Sequence, residues 1–344
     1  MTAVVSLIDF AADHVLTVVW LKATIFISAL MVLHLTLGRL SAAARSMLWT
    51  VSVAALVPLA ALQYLTPQVG LVLVDFPTFL FRHSVGDVAG LFTSRSLPWP
   101  SGWAWVAEVP LARWLGALWV LGAMILLARL ANQIHMLRRT AAAAEPWRVV
   151  SFAGVTVGLS PSVDTPLTFG WRRPHILLPP DARDWPDQRL GAVLAHERAH
   201  IRRRDFATLV LTEVVKALYW VNPIAWRLAA IVRAELECAC DDAVLRTGVP
   251  PVEYVRHLLS MAAREHHLPP RPALQMARPS LFRVRVDAIL DAGLDRGIPS
   301  WRGMIGAALF SLVLAGGLAS SSLWACGETA AAAHAAPHSA ARTG

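Results

Sequence analysis

The sequence predicts a mainly α-helical integral membrane protein in which four transmembrane helices carry an α+β domain between the third and the fourth helix. Of its 344 residues, 56% are hydrophobic and 16% are charged, with a mean hydropathy of +0.51, whereas about a quarter of the residues in a soluble domain are charged. Apolar runs long enough to cross a bilayer also lie near both ends of the chain, with an arginine-rich stretch between them. The composition excludes a disordered chain, a collagen and a secreted disulfide scaffold, which three cysteines could not support.

Three of the predicted spans lie in a membrane region formed by residues 1–130, and the fourth covers residues 303–326. The first three spans are about 15–37, 47–64 and 114–130. The fourth span contains no charged residue, and the charges of the others lie close enough to an end to reach the headgroups. Asp9 and Asp13 precede the first span without a positive flank, which argues against a secretory signal peptide.

The distribution of arginine predicts the orientation of these spans, because short loops rich in Lys and Arg stay in the cytoplasm. The first connection contains Arg39 and Arg45, so it is predicted to face inward and the N-terminus outward. Residues 66–112 then form an external loop, whose tryptophans indicate that it lies on the membrane surface. Residues 131–302 are cytoplasmic, and residues 327–344 form a disordered external tail.

The cytoplasmic segment begins with short strands and continues with helices. Valines and Gly/Pro turns between Trp147 and Pro180 predict two or three strands in a small antiparallel sheet. A helix is predicted from about Pro186 to Ile201, and Phe206 to Tyr219 reads as a buried or interfacial helix rather than a fifth span. Residues 269–302, in which prolines are followed by an arginine-rich helical piece, are predicted to be an exposed connector between the domain and the last helix.

The helix from about Pro186 to Ile201 carries the pattern His-Glu-x-x-His. His196 and His200 are four residues apart, so that both imidazoles share one helix face and can reach one Zn²⁺. Glu197 then lies beside the open position of the metal, where it can take a proton from water and hand it to a leaving nitrogen. The pattern therefore predicts a metal-dependent hydrolase.

A hydrolytic zinc site needs a third protein ligand, which a later helix is expected to supply. Glu237 is the candidate, on a helix predicted to start after Asn222-Pro223. Asp241, one turn further on, and Asp205, just past His200, are the candidates for receiving an imidazole N–H and orienting the ligands. Glu235 points roughly the other way from Glu237, so only one of the two is expected to be a ligand.

These motifs together resemble the BlaR/MecR-type membrane zinc peptidases, which act as antirepressors. The resemblance runs from about Leu111 to Val244, and its motifs are Pro166 to Pro179, His196-Glu-x-x-His200 with Asp205, Trp220-Val-Asn-Pro223, and Glu237-x-x-Cys240-Asp241. It implies a gluzincin-like domain with zinc on His196, His200 and Glu237, Glu197 as the base, and four membrane helices in the bacterial inner membrane. It also implies cleavage of the peptidase itself or of a cytoplasmic transcriptional repressor after an envelope signal, with self-cleavage in the connector.

The antibiotic-sensing members of this family carry a penicillin-binding domain after the fourth helix, where this sequence has the tail 327–344. We therefore expect the signal to act through the outer loop, the membrane or a partner protein rather than through an acylated serine.

Two rival functions stay open at this stage. An HtpX-like or prenyl-protein protease shares the metal motif and would degrade damaged membrane proteins, whereas a receptor or scaffold would use zinc only to stabilise its fold. The expected partners are a protein substrate and the lipid bilayer, and glycines in the last helix permit a homodimer. No direct nucleic-acid partner is expected, because no helix-turn-helix or aromatic stacking motif accompanies the arginines.

Overall fold

The computed structural model describes residues 20–38, 40–58, 69–71, 111–147, 155–265, 279–298 and 301–323. The chain divides into two compact units. One unit comprises residues 1–22, 59–120 and 316–344, and its described part includes a parallel pairing between the short strands Val69–Leu71 and Ser321–Leu323. The other unit comprises residues 23–58 and 121–315 and contains the predicted metal-binding residues. Each unit is described by itself.

The described residues are mostly helical. In chain order the elements are α1 (Trp20–Thr36), α2 (Ala42–Leu56), β1 (Val69–Leu71), α3 (Leu111–Ala142), β2 (Glu145–Pro146), β3 (Thr156–Leu159), β4 (Leu167–Phe169), β5 (His175–Leu178), a 3₁₀ turn (Pro180–Asp184), α4 (Asp187–Arg203), α5 (Asp205–Leu218), α6 (Pro223–Leu245), α7 (Pro251–Glu265), α8 (Pro279–Leu290), α9 (Trp301–Ser320) and β6 (Ser321–Leu323).

Four helices, α1, α2, α3 and α9, coincide with the predicted spans but differ from them at the ends. Helix α2 begins five residues before the predicted start at residue 47, because the Ser41 hydroxyl accepts a hydrogen bond from the Ala44 amide and caps the helix. Parts of the predicted first, second and fourth spans fall outside the described residues, as do most of the predicted outer loop and the whole tail. By length and composition, one described helix, Arg113–Ala142, could cross a membrane.

Helix α3 contains 32 residues and is therefore about 48 Å long, well beyond a hydrocarbon core of about 30 Å. The predicted span ends at residue 130, where polar residues become frequent, whereas the helix continues to Ala142. Polar side chains end an apolar run without ending a helix, and residues 131–142 contain no Gly or Pro. The helix therefore continues until shortly before Pro146.

The small sheet is mixed rather than purely antiparallel, which corrects the prediction. Its strand order is β2-β3-β5-β4, with β3 parallel to β5 and both outer pairs antiparallel. The β4–β5 hairpin turns at Gly170, whose φ of +91° favours glycine, and a Cβ there would lie 2.5 Å from the Arg173 carbonyl oxygen. Strand β4 is left as an edge strand of this sheet.

Helix α4 packs against the sheet and thereby fixes the position of the His-Glu-x-x-His motif. Val193 and Leu194 of α4 are buried with Ile176 and Leu178 of β5. The helix ends at Arg204, which adopts a left-handed conformation with φ of +57°. This abrupt reversal starts α5 immediately at Asp205.

Helices α5 and α6 form a hairpin that runs along α2, and we call residues 205–235 the α5–α6 hairpin. Near one end of α2, Arg45 donates to Glu235 at 2.9 Å, and at the other end the Tyr219 hydroxyl donates to the Leu56 carbonyl at 3.1 Å. The turn of the hairpin also contacts α1, because the Asn222 amide donates to Thr24 Oγ1 at 2.8 Å. The helix predicted after Asn222-Pro223 is present, with the Asn222 side chain accepting from the Ile224 amide.

Helix α8 lies within the segment that was predicted to be an exposed connector. Residues 266–278 fall outside the described residues, whereas α8 packs against α6 and α7 with Ile289 buried. Phe282 and Val286 lie on the same apolar side. The predicted helical piece is present, but one apolar face of it packs against the domain, so the segment is not exposed along its whole length as predicted.

Candidate metal centre

The two histidines of α4 face each other at the centre of the candidate site. Both are buried, and their Nε2 atoms are 3.2 Å apart with the rings edge to face. This follows from the helical repeat, because residues four apart share a face. The structure therefore brings both predicted imidazole ligands to one point.

Helix α6 brings Glu237 to the same point. Its Oε2 lies 3.5 Å from His196 Nε2 and its Oε1 lies 3.6 Å from His200 Nε2. Glu235 is directed elsewhere, onto Arg45 of α2, as the helical spacing predicted for one of the two glutamates. Of the two, Glu237 is the one that lies with the histidines.

Asp205, the first residue of α5, lies behind His200. Its Oδ2 is 2.9 Å from His200 Nδ1, so that the Nδ1–H donates outward and the lone pair of Nε2 faces the site. Arg203 Nε lies 3.2 Å from both oxygens of the same carboxylate, and the Cys240 thiol donates to Oδ2 at 3.4 Å. His200, Asp205 and Cys240 form a second cluster of possible metal ligands, which shares His200 with the first.

Asp241 lies behind His196 together with a residue that the sequence did not predict. The Tyr254 hydroxyl of α7 donates to Asp241 Oδ1 at 2.8 Å. His196 Nδ1 lies 3.0 Å from the Tyr254 oxygen and 3.2 Å from Asp241 Oδ1, so its N–H donates to this pair. The lone pair of His196 Nε2 consequently also faces the site.

Glu197 occupies the next position on α4 and is also buried. Thr168 Oγ1 of edge strand β4 donates to Glu197 Oε2 at 2.6 Å. One carboxylate oxygen of Glu197 is thus fixed by the sheet. Thr168 lies in the Pro166 to Pro179 segment, but its role depends on the packing of β4 against α4, which the sequence pattern does not specify.

The electrostatic field of the site favours positive charge. Burial lowers the pKa of His196, but its hydrogen bonds to Asp241 and Glu237 prevail and raise that pKa to about 10. Burial would raise the pKa of Glu237, yet Arg285 and the two histidines lower it to about 2. Burial would likewise raise the pKa of Asp241, but the Arg285 charge and the hydrogen bonds from His196 and Arg285 hold that pKa far below its usual range. Both carboxylates are therefore ionised at neutral pH.

The residues present fit a divalent cation. Glu237 Oε1 is buried and accepts no hydrogen bond from the described residues, although two imidazole nitrogens face the same space. The separation of 3.2 Å between the Nε2 atoms is close to the value of about 3.3 Å for two nitrogens bound tetrahedrally at about 2.0–2.1 Å. A histidine that binds a metal must be neutral, so metal binding would displace the proton that His196 holds in the absence of the ion. With both imidazoles neutral, four buried carboxylates face two guanidinium groups, which leaves two negative charges for a dication to balance: Glu197, Asp205, Glu237 and Asp241 against Arg203 and Arg285.

Comparison with known proteins shows the family to which the chain belongs. Over 93 residues the chain is 38% identical to the regulatory protein BlaR1 of Bacillus licheniformis, and 27% identical to the methicillin resistance mecR1 proteins of Staphylococcus aureus and Staphylococcus epidermidis. Each alignment covers 27% of this chain and 16% of the relative, so the matched part spans about a sixth of the length of these relatives. Residues 15–289, most of the chain, match the family described as BlaR1 peptidase M56, and the chain belongs to that family of peptidases.

Proposed function

We propose that this protein is a membrane-embedded zinc endopeptidase of a bacterial signalling system. Its substrate would be the chain itself, a cytoplasmic transcriptional repressor, or both, and its trigger a signal from the cell envelope. Membership of the peptidase family supports the reaction class. The observation that carries the proposal is the convergence of His196, His200 and Glu237, with the outer nitrogen of each imidazole already held by a carboxylate or a tyrosine.

In this proposal the metal is held by His196 Nε2, His200 Nε2 and Glu237 Oε1. When bound, zinc would polarise the scissile carbonyl and make a water molecule acidic at neutral pH. Asp205 and the Tyr254–Asp241 pair keep both Nδ1 atoms protonated, so that each Nε2 lone pair stays available. These outer contacts fix the orientation of both rings before substrate arrives.

Glu197 is the proposed proton carrier. Its carboxylate would accept a proton from the attacking water and release it to the leaving amine nitrogen. Thr168 Oγ1 would hold Oε2 and so leave Oε1 to exchange the proton. A backbone extended along the edge strand β4 would lie beside this carboxylate, because Thr168 is the central residue of that strand.

The four-span arrangement, with the N-terminus outside and residues 131–302 entering from the cytoplasm, is part of the proposal, with one amendment: the α5–α6 hairpin (205–235) lies along α1 and α2, so its turn reaches their outer ends. Large apolar side chains open to the surroundings on α3 and α9 favour contact with lipid, among them Leu118, Met124, Leu309, Leu312 and Val313. Helix α3 is long enough to cross a bilayer by itself. In this arrangement the turn of the α5–α6 hairpin lies at the outer ends of α1 and α2, and the metal site at their inner ends.

Two matched substitutions test the site. Glu197→Gln is expected to keep the metal and abolish cleavage, because it removes the proton acceptor and no ligand. Glu237→Gln is expected to lose most of the zinc, because it replaces an anionic ligand. Zinc content of the purified full-length chain, measured together with proteolysis, checks both expectations. Retained cleavage in Glu197→Gln would contradict the proposed role of this residue.

The substrate can be identified from new protein N-termini in bacterial cells carrying the native chain or Glu197→Gln, with and without envelope stress. A short set of termini that disappears in the variant is expected, and it would name the repressor or the chain itself. A broad set would favour quality-control proteolysis instead. Identical sets under every stress would favour a receptor or scaffold in which zinc only stabilises the fold.

A further inference from the structure

Helix α8 inserts an arginine into the metal centre from a part of the chain that the motifs do not include. The Arg285 guanidinium lies against two carboxylates of α6. Its Nη1 is 2.9 Å from Glu237 Oε2, while Nε and Nη2 contact the two oxygens of Asp241 at 2.8 and 2.7 Å. The side chain is largely buried. All three guanidinium nitrogens therefore contact either Glu237, a candidate metal ligand, or Asp241, which lies behind the candidate ligand His196.

The contact with Glu237 separates the roles of its two oxygens. Arg285 binds Oε2, whereas the buried Oε1 accepts no hydrogen bond from the described residues. A carboxylate offers about four lone-pair positions, and Arg285 takes one of the two on Oε2 whereas both on Oε1 stay open within the described residues. Arg285 thus favours binding of a metal through Oε1 alone and disfavours binding through both oxygens.

The contact with Asp241 acts on His196. The two parallel hydrogen bonds fix the plane of the Asp241 carboxylate, as a planar fork does and an ammonium does not. Asp241 Oδ1 in turn receives the Tyr254 hydroxyl, and this pair receives His196 Nδ1–H. One guanidinium therefore sets the orientation of two of the three candidate ligands.

From these contacts we infer that Arg285 is a positioning residue of the metal centre, which restricts Glu237 to ligation through one oxygen and fixes Asp241 behind His196. The inference rests on the proposed metal site. It adds to that site a dependence on α8, which is anchored by Ile289 in the core and by Arg296, which donates to Asp242 at 2.9 Å. Release of α8 from α6 would withdraw the guanidinium from the ligands.

The test compares Arg285→Gln with Arg283→Gln in the full-length chain, purified in lipid nanodiscs. Arg283 lies on the same helix, is 86% exposed and pairs with Asp287, so it controls for the loss of one arginine from α8. Zinc affinity is measured by competition with a chelator, and the coordination number from the visible absorption of the Co²⁺-substituted protein. Neither readout requires proteolysis.

Arg285→Gln is expected to weaken zinc binding roughly 10–100-fold, as substitutions of residues behind metal ligands do. Its Co²⁺ absorption should weaken as Glu237 binds through both oxygens and the coordination number rises. Arg283→Gln should match the native protein in both measurements. Native affinity together with a native Co²⁺ spectrum in Arg285→Gln would overturn the inference.

Arg285→Lys keeps the positive charge, and it tests the positioning role of Arg285 if Arg285→Gln does not fold. A lysine supplies a point charge but no planar fork, so the altered Co²⁺ spectrum is expected to persist while zinc affinity is partly restored. A native spectrum in Arg285→Lys would show that charge alone matters and would overturn the positioning role. If the native chain itself binds no zinc, the proposed function fails, whereas zinc binding unaffected by both variants rejects only the role of Arg285.

Discussion

The Thr168 hydroxyl links the sheet to Glu197, the proposed proton carrier. It donates to Glu197 Oε2 at 2.6 Å and comes from a three-residue edge strand. A hydrogen bond to a charged group contributes about 1.5–3 kcal/mol. The orientation of the proposed proton carrier therefore depends on a residue that lies 29 positions earlier in the chain.

Thr168→Val keeps the shape of the side chain and removes the donor. We expect the cleavage rate to fall by roughly tenfold or more, because Glu197 loses the contact that holds one of its oxygens. Zinc content should stay unchanged, since neither histidine touches Thr168 in the described contacts. Thr168→Ser is the matched control and should retain most of the activity. Equal rates for the valine and the serine variants would exclude this role.

Asp205 and Asp241 differ in how they support the histidines. Asp205 receives His200 Nδ1 directly and is held by Arg203 of the preceding helix, whereas Asp241 acts together with Tyr254. Arg203 also donates to Ser46 Oγ of α2 at 2.6 Å. The His200 side of the site is thus connected to α2, and the His196 side to α7 and α8.

At the scale of the elements, the start of helix α6 depends on one residue, Asn222. Asn222 is fully buried, caps the helix by accepting from the Ile224 amide, and donates to Thr24 of α1. The same side chain therefore starts the helix and joins it to α1.

Asn222→Ala is expected to destabilise the protein by about 1–2 kcal/mol, because it removes the helix cap and the part-buried hydrogen bond to Thr24. Chemical unfolding of the chain in lipid, followed by circular dichroism, measures this loss. Asn222→Asp, which keeps the cap acceptor, should retain part of the stability. No difference between the alanine variant and the native chain would contradict the dual role of Asn222.

The elements that the sequence predicted best are those fixed by local repeats. The spacing of His196 and His200, the Asn222-Pro223 helix start and the opposite directions of Glu235 and Glu237 follow from one helix each. Thr168, Tyr254 and Arg285 reach the same site from three other elements, so that only tertiary packing brings them there. The parallel pairing of β3 and β5 escaped prediction for the same reason, because β4 lies between these two strands in the sequence.

At the scale of the whole molecule, the α5–α6 hairpin packs along α1, α2 and α3 within its unit. Thr208 of α5 lies 3.4 Å from Thr50 in the middle of α2, between the contacts at the two ends of that helix. A Cβ at Gly122 of α3 would overlap the Trp220 indole, so α3 approaches the hairpin turn closely. The turn thus contacts α1, α2 and α3.

This packing predicts that Val221, a half-exposed residue of the turn, lies near the outer face of the membrane. In a Cys326→Ser background, a fluorophore on Val221→Cys should be quenched by agents added from outside. Leu259→Cys, on the exposed side of α7, should respond only to agents added from the cytoplasmic face. The reverse pattern would overturn the proposed orientation. Quenching of both from the cytoplasmic face would place the hairpin turn away from the outer surface.

Asn222 caps the start of helix α6, and Glu237 lies about four turns further along the same helix. A rotation of this helix about its axis therefore moves both residues together. A rotation of about 10° at the turn would carry a side chain about 5–6 Å from the helix axis through roughly 1 Å. A displacement of that size at a reacting centre can cost about a hundredfold in rate. A small rotation of α6 where it contacts α1 would therefore change the distance from the Glu237 carboxylate to the His196 and His200 imidazoles.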